Sequence, residues 1–214
     1  MAKTSTIITI DREYGSGGRE IGVKLSEALE VPLYDRDMLN RAAKDSGIAQ
    51  ELIQSNDERS TGSFLFSLVM DSKSNGVYSD EMPLNQRVFM AQYDTIRSIA
   101  EEGPCVLVGR CADCALADRD DVLNVFIHAD IEQRIRRVAV DNDLTDAKAK
   151  ELIQRNDKER ASYYNFYSNK KWGDARTYHA CFDSSKLGIN GVVEEILNMV
   201  KIRESTEKVE LWKE

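Results

Sequence analysis

The sequence predicts a three-layer α/β/α sandwich built on a parallel five-stranded sheet. Three observations carry this reading. Short apolar runs at residues 6–10, 31–34, 105–108, 123–128 and 178–182 have the length of strands buried on both faces. Stretches with helical periodicity separate them, and strands alternating with helices argue for a parallel sheet covered on both sides. The first run leads directly into a glycine-rich turn, Gly15-Ser16-Gly17-Gly18, and then into a helical pattern.

Each helix has its own signal. Ile21, Leu25, Ala28 and Leu29 share one face of the first. Ile131, Ile135 and Val138 share a face of a later one, where Asp130 and Gln133 stand in the spacing of a capping box. Thr145 is placed to cap a long polar helix running toward Tyr163. Residues 86–102 read as a helix ending near Gly103-Pro104, and Val192, Val193, Ile196, Leu197 and Val200 support a final one. Two stretches fit the alternation poorly. Residues 57–84, with an apolar patch at 64–70, and the aromatic, basic residues 164–177 are expected as insertions over the sheet. Ligands of such sheets sit beyond the carboxyl ends of the strands, so insertions there often cover the site.

Composition bounds the function. At 214 residues with 42% hydrophobic content, the chain can bury a core as a single domain over 1–214. It has no apolar run of membrane-spanning length and no signal-peptide pattern after Met1, so a cytoplasmic location without membrane contact is expected. The net charge of −8 argues against nucleic acid as a partner. Residues 145–176 go the other way, with eight Lys/Arg against five Asp/Glu. An anion partner and a solvated mixed-charge helix both remain open there. Cys111 and Cys114 form a CxxC without a second pair of ligands, and His128 and His179 stand apart. Cys105, Cys111, Cys114 and Cys181 are therefore expected as reduced, mostly buried thiols rather than a zinc site.

The turn after the first strand carries the chemistry. Glycines without Cβ atoms let backbone N–H groups converge on an anion, and the following helix adds its unpaired first amides and positive dipole end. Arg19 sits in the first helical turn, where a cation is unfavourable to the helix alone and makes sense beside a bound anion. A ligand-free strand–helix connection is the bland alternative. A dinucleotide fingerprint is another, with Asp35 or Asp37 toward a ribose, but Gly15-x-Gly17-x-x-Glu20 lacks its third glycine.

Ile10-Asp11 with the turn Arg12-Glu13-Tyr14-Gly15-Ser16-Gly17-Gly18-Arg19-Glu20, followed by Pro32-Leu33-Tyr34-Asp35-Arg36, resembles the cytidylate kinase-like family of P-loop proteins. The resemblance runs on through Val106-Leu107-Val108-Gly109-Arg110, Asn124-Val125-Phe126-Ile127-His128-Ala129, the basic segment 155–160 and Phe182-Asp183-Ser184-Ser185-Lys186-Leu187. It implies a P-loop, nucleoside monophosphate kinase-like fold that uses ATP and Mg²⁺. It also implies an acceptor-side insertion around 36–104 and a lid around 145–177.

One departure matters. The ordinary phosphate-binding loop is GxxxxGK followed by Ser or Thr. Here Arg12 stands at the first glycine, Gly17 at the last, Gly18 at the lysine, and Arg19 or Glu20 at the hydroxyl. By resemblance, Gly15, Ser16, Gly17, Gly18, Arg19 and Glu20 hold the nucleotide, with Arg19 in the lysine's role. Ser16, Glu20 and Asp113 are the metal candidates. Asp35 and Arg110 are expected on the acceptor, with Arg97 on the preceding helix either joining them or standing as a surface charge. Arg155 and Arg160 are expected as lid arginines over the transferred group, with Arg134 and Arg137 nearby. Tyr163, Tyr164, Phe166, Tyr167 and Trp172 either stack a base or pack an insertion. The implied activity is phosphoryl transfer from ATP to a nucleoside monophosphate, CMP first. The partners are then a nucleotide and a small phosphorylated acceptor. A nucleotide-binding regulator that has lost catalysis and a kinase for another small acceptor are the alternatives.

Overall fold

The computed structural model describes residues 3–47 and 83–205. Its strands are β1 (Ile7–Arg12), β2 (Leu33–Tyr34), β3 (Val106–Val108), β4 (Val122–His128) and β5 (Ala180–Asp183). They pair in parallel in the order β2-β3-β1-β4-β5. The helices are α1 (Gly18–Leu29), α2 (Arg36–Ser46), α3 (Leu84–Glu102), α4 (Ala112–Ala115), α5 (Ile131–Asn142), α6 (Asp146–Ser168) and α7 (Ser184–Glu204), with a 3-10 turn at Ala175–Thr177. The expected insertion at 57–84 lies, up to residue 82, outside the described residues.

Alternation along the strands splits the core. Ile8, Ile10, Val106, Val108, Leu123, Val125 and Ile127 face Ile21 and Leu25 of α1 and Val192 and Ile196 of α7. Ile7, Leu107 and Val122 face the opposite way, against Ile96 and Ile99 of α3 and Ala112 and Ala115 of α4. Full burial of one such aliphatic side chain contributes about 1.5–3 kcal/mol, so both helix layers are anchored through the sheet. The chain leaves β1 toward β2 on one side and leaves β3 toward β4 on the other. That reversal opens a crevice at the carboxyl ends of β1 and β3.

Several helix signals resolve differently from expectation. Thr145 does cap α6, its hydroxyl accepting the Lys148 amide at 3.4 Å. The capping box at Asp130 does not form. Lys186 takes the Asp130 carboxylate at 2.8 Å, and Gln133 donates to the Ser185 carbonyl at 3.2 Å, so the pair ties α5 to α7. Ala28 and Ile131 face solvent. Residues 164–168 are not an insertion. They continue α6, whose Tyr163, Tyr164 and Tyr167 pack with Phe89, Phe126 and Tyr178 in an aromatic core. Tyr167 stacks on Phe89 with ring centroids 3.9 Å apart. These rings pack the domain, and burial together with Cys114 keeps the neighbouring Cys111 thiol well above its usual pKa. The other half of α6 meets α5 through Ala149, Ile153, Ile135 and Val138. Among the described residues, no helix is long and apolar enough to cross a membrane.

Candidate nucleotide-binding site

The glycine-rich turn lies at the crevice. Glu13 extends the sheet by one bond, its amide donating to the Ile127 carbonyl at 3.0 Å. Gly15 and Gly17 then adopt φ of 78° and 85°, which L side chains rarely take. A Cβ on Gly17 would also lie 2.3 Å from Ile189 Cδ1, so a side chain there would have to push the tip of Ile189 aside as well as strain the backbone.

Every carbonyl from Arg12 to Gly17 accepts a hydrogen bond. Arg160 Nη1 donates to the Arg12 carbonyl at 3.1 Å, Arg134 Nη1 to Tyr14 at 3.3 Å, and Arg137 Nη1 to Gly15 at 2.7 Å. Ser184 Oγ donates to the Ser16 carbonyl at 2.6 Å. Backbone amides take the remaining two, Ser16 bonding Glu13 and Ile21 bonding Gly17. Three loop amides are spent on protein acceptors, Glu13 on the Ile127 carbonyl, Tyr14 on Asp157 and Ser16 on the Glu13 carbonyl, so the loop's donors toward a ligand are those of Gly15 and Gly17. The first amides of α1 add to these, having no preceding turn to accept them. The result has the form of an anion-binding nest at a helix N-terminus. Asp157 fastens the loop further, accepting the Tyr14 amide at 2.7 Å and Arg134 Nη1 at 2.6 Å.

The nest opens on a cleft of about 710 Å³, within the usual range for small-molecule sites. Arg12, Arg19, Arg110, Arg137 and Arg160 all line it. Gly109, Arg110 and Cys111 take left-handed φ values of 79°, 58° and 54° in succession after β3. This turn folds Arg110 back, so that Nη1 donates to the Val108 carbonyl and to Asp35 Oδ1, both at 2.7 Å. Arg19 Nε donates to the other Asp35 oxygen at 2.9 Å. Burial works to raise the Asp35 carboxyl, but the charge and hydrogen bond of Arg110, with Arg12 and Arg19, outweigh it. The group is held below the ordinary carboxylate range.

The structure thus gathers Gly15, Gly17, Gly18, Arg19, Glu20, Asp35, Arg110 and Arg160 around one cleft. Four expected residues do not line it. Ser16 is fully buried, with an Oγ that finds no partner among the described residues. Arg97 grips Asp118 with two bonds at 2.9 and 3.0 Å and the Ala115 carbonyl at 3.0 Å, which makes it a structural surface pair. Asp113 is buried under the Tyr164 hydroxyl, which donates to it at 2.7 Å. Arg155 sits on an exposed position of α6. Sequence reasoning passed over Arg12, Tyr14 and Asp157. Arg12 had one signal, its place at a position that ordinarily requires glycine; Asp157 had none.

The amide nest and the arginines suit the phosphates of a nucleotide. A built protein cage for magnesium is a different matter. Among the described residues, no three His, Cys, Asp or Glu side chains are placed to hold an ion. The carboxylates on the wall are Glu13, Glu20, Asp35, Asp141 and Glu159. That donor set suits Mg²⁺ bound chiefly by nucleotide phosphates and water, with a carboxylate at most.

The comparisons with known proteins agree with the fold. A crystal structure of an uncharacterized protein from Eubacterium ventriosum ATCC 27560 is 28% identical, with a TM-score of 0.70 over 92% of this chain and 98% of that one. Shikimate kinase from Bacteroides thetaiotaomicron shares 14% identity with a TM-score of 0.53, over 92% of this chain and 98% of that one. Shikimate kinase from Acinetobacter baumannii, in complex with shikimate, shares 13% with a TM-score of 0.51, over 94% and 96%. At that identity, the shikimate kinases show the P-loop kinase fold alone. No curated protein matches the chain in sequence. The model of the cytidylate kinase-like family matches residues 7–186, and the chain belongs to that family.

Proposed function

We propose that the protein transfers the terminal phosphoryl group of ATP to a nucleoside monophosphate, with CMP as the first acceptor. The carrying observation is the glycine-rich loop whose carbonyls are all hydrogen-bonded, beside a cleft that five arginines line. Family membership supports a cytidine acceptor. In this reading the nest and Arg137 side hold the donor phosphates, and Asp35, Arg110 and Arg19 receive the acceptor. Magnesium supplies charge neutralisation on the donor phosphates when bound. The transfer breaks the bond between the γ-phosphorus and its bridging oxygen and forms one to an acceptor phosphate oxygen. That oxygen is already ionised, so the protein's task is in-line positioning and charge stabilisation rather than proton removal. Arg160, placed 5.4 Å over the Tyr14 ring and on the wall of the cleft, is the lid arginine of this reading.

The test is ADP release from ATP with Mg²⁺ across a panel of nucleoside monophosphates, with Arg19→Ala as a control. Acceptor-dependent release, reduced in the control, is the expected result. ATP binding with no turnover on any acceptor would instead assign a regulator. Turnover only with a phosphorylated compound that is not a nucleotide would assign another small acceptor.

A further inference from the structure

The geometry points to Arg12 as the residue that supplies the phosphate-facing charge of the missing lysine, an inference that rests on reading the cleft as a nucleotide site. In the ordinary loop a glycine opens the turn and a lysine stands on the first helical turn. Here Arg12 holds the glycine's position and Gly18 the lysine's. The structure shows these two departures to be one exchange. A Cβ on Gly18 would lie 2.7 Å from Arg12 Cβ and 3.0 Å from its Cγ. The stem of Arg12 therefore runs through the space a side chain at position 18 would need. Those are the atoms nearest the backbone, which cannot swing aside cheaply. Either position can carry a side chain when the other does not.

The location of Arg12 suits the role. Its side chain is 9% exposed, it lines the cleft at the carboxyl end of β1, and its Nη1 lies 3.9 Å from Asp11 Oδ1. Its charge, with Arg110 and Arg19, helps hold the Asp35 carboxyl below the ordinary carboxylate range. Its own carbonyl is pinned by Arg160, which fixes where the side chain starts. A guanidinium held this way meets two phosphate oxygens with one planar fork, where a lysine meets them as a point charge. Arg19, the other candidate, has a side chain 69% exposed and turned to Asp35 at the rim. The wall of the cleft therefore carries its buried phosphate contact from the strand side, and Arg19 belongs to the acceptor edge.

The test is calorimetric titration of ATP and ADP into the full-length protein and its variants, with circular dichroism and thermal melts to establish folding. Arg12→Ala is expected to weaken ATP binding by roughly ten- to a hundredfold, and Arg12→Lys by less. Gly18→Lys alone is expected to lower the melting temperature. The paired Arg12→Gly and Gly18→Lys replacement is expected to fold and to bind ATP more tightly than Arg12→Gly alone, because it restores the ordinary arrangement. A folded Arg12→Ala that binds ATP as tightly as the unmodified protein would overturn the inference and leave the nucleotide reading intact. So would a folded double variant that binds no better than Arg12→Gly. Failure of the unmodified protein to bind any nucleotide would overturn both.

Discussion

Asp35 joins Arg110 to Arg19 across the mouth of the cleft, one oxygen 2.7 Å from Arg110 Nη1 and the other 2.9 Å from Arg19 Nε. The two contacts differ in weight. Both partners of the Arg110 pair are largely buried, whereas the Arg19 side chain is 69% exposed. Asp35→Ala is therefore expected to destabilise the fold by about 3 kcal/mol, the scale of breaking a buried pair from one side. Arg19→Ala should cost at most about 1 kcal/mol, the scale of a surface pair. Urea unfolding of the two variants measures both.

The same carboxylate makes stability pH-dependent. Its folded pKa lies below the ordinary 3.8, so its contribution is complete above about pH 4 and is lost as the pH falls through the folded value. The stability difference between the unmodified protein and Asp35→Asn is expected to be constant from pH 7 to 5 and to shrink below pH 4. Urea titrations at stepped pH follow it.

Asp157 is expected to act on the phosphate loop through the Tyr14 amide and Arg134, which it holds at 2.7 and 2.6 Å. Asp157→Ala should raise hydrogen exchange at the Tyr14 amide and weaken ATP binding several-fold. The β4 amides supply the internal reference, since they lie in the ladder with β1 rather than in the loop. Unchanged exchange at Tyr14 would contradict the assignment.

Much of the fold was legible because apolar periodicity reports burial directly. All five strands lie where the runs place them, though the second and the last each begin two residues later, at Leu33 and Ala180. The glycine-rich turn was legible because glycine takes the left-handed conformation at Gly15 and Gly17 without strain. Long-range polar choices were not. Asp130 and Gln133 have the spacing of a local cap, yet Lys186 and Ser185, more than 50 residues away, take them. Arg97 and Arg110 look alike beside their helix and strand. The left-handed turn at Gly109–Cys111 sends Arg110 into the cleft, while Asp118 holds Arg97 outside it.

Gly17→Ala combines a left-handed φ with a Cβ placed 2.3 Å from Ile189 Cδ1. The backbone strain costs about 1–3 kcal/mol, and the tip of Ile189 must shift as well. The variant is expected to melt at a clearly lower temperature and to lose ATP binding even where it remains folded. Differential scanning calorimetry followed by nucleotide titration separates the two effects.

The central claim is that the cleft moves a phosphoryl group between two substrates. Incubation with γ-labelled ATP, Mg²⁺ and CMP, followed by chromatographic separation of the nucleotides, tests it most directly. The account predicts label appearing in CDP, only when acceptor and protein are both present, and sharply less of it with Arg110→Ala. Label that stays in ATP, or passes only to inorganic phosphate at the same rate with and without any nucleoside monophosphate, would contradict it.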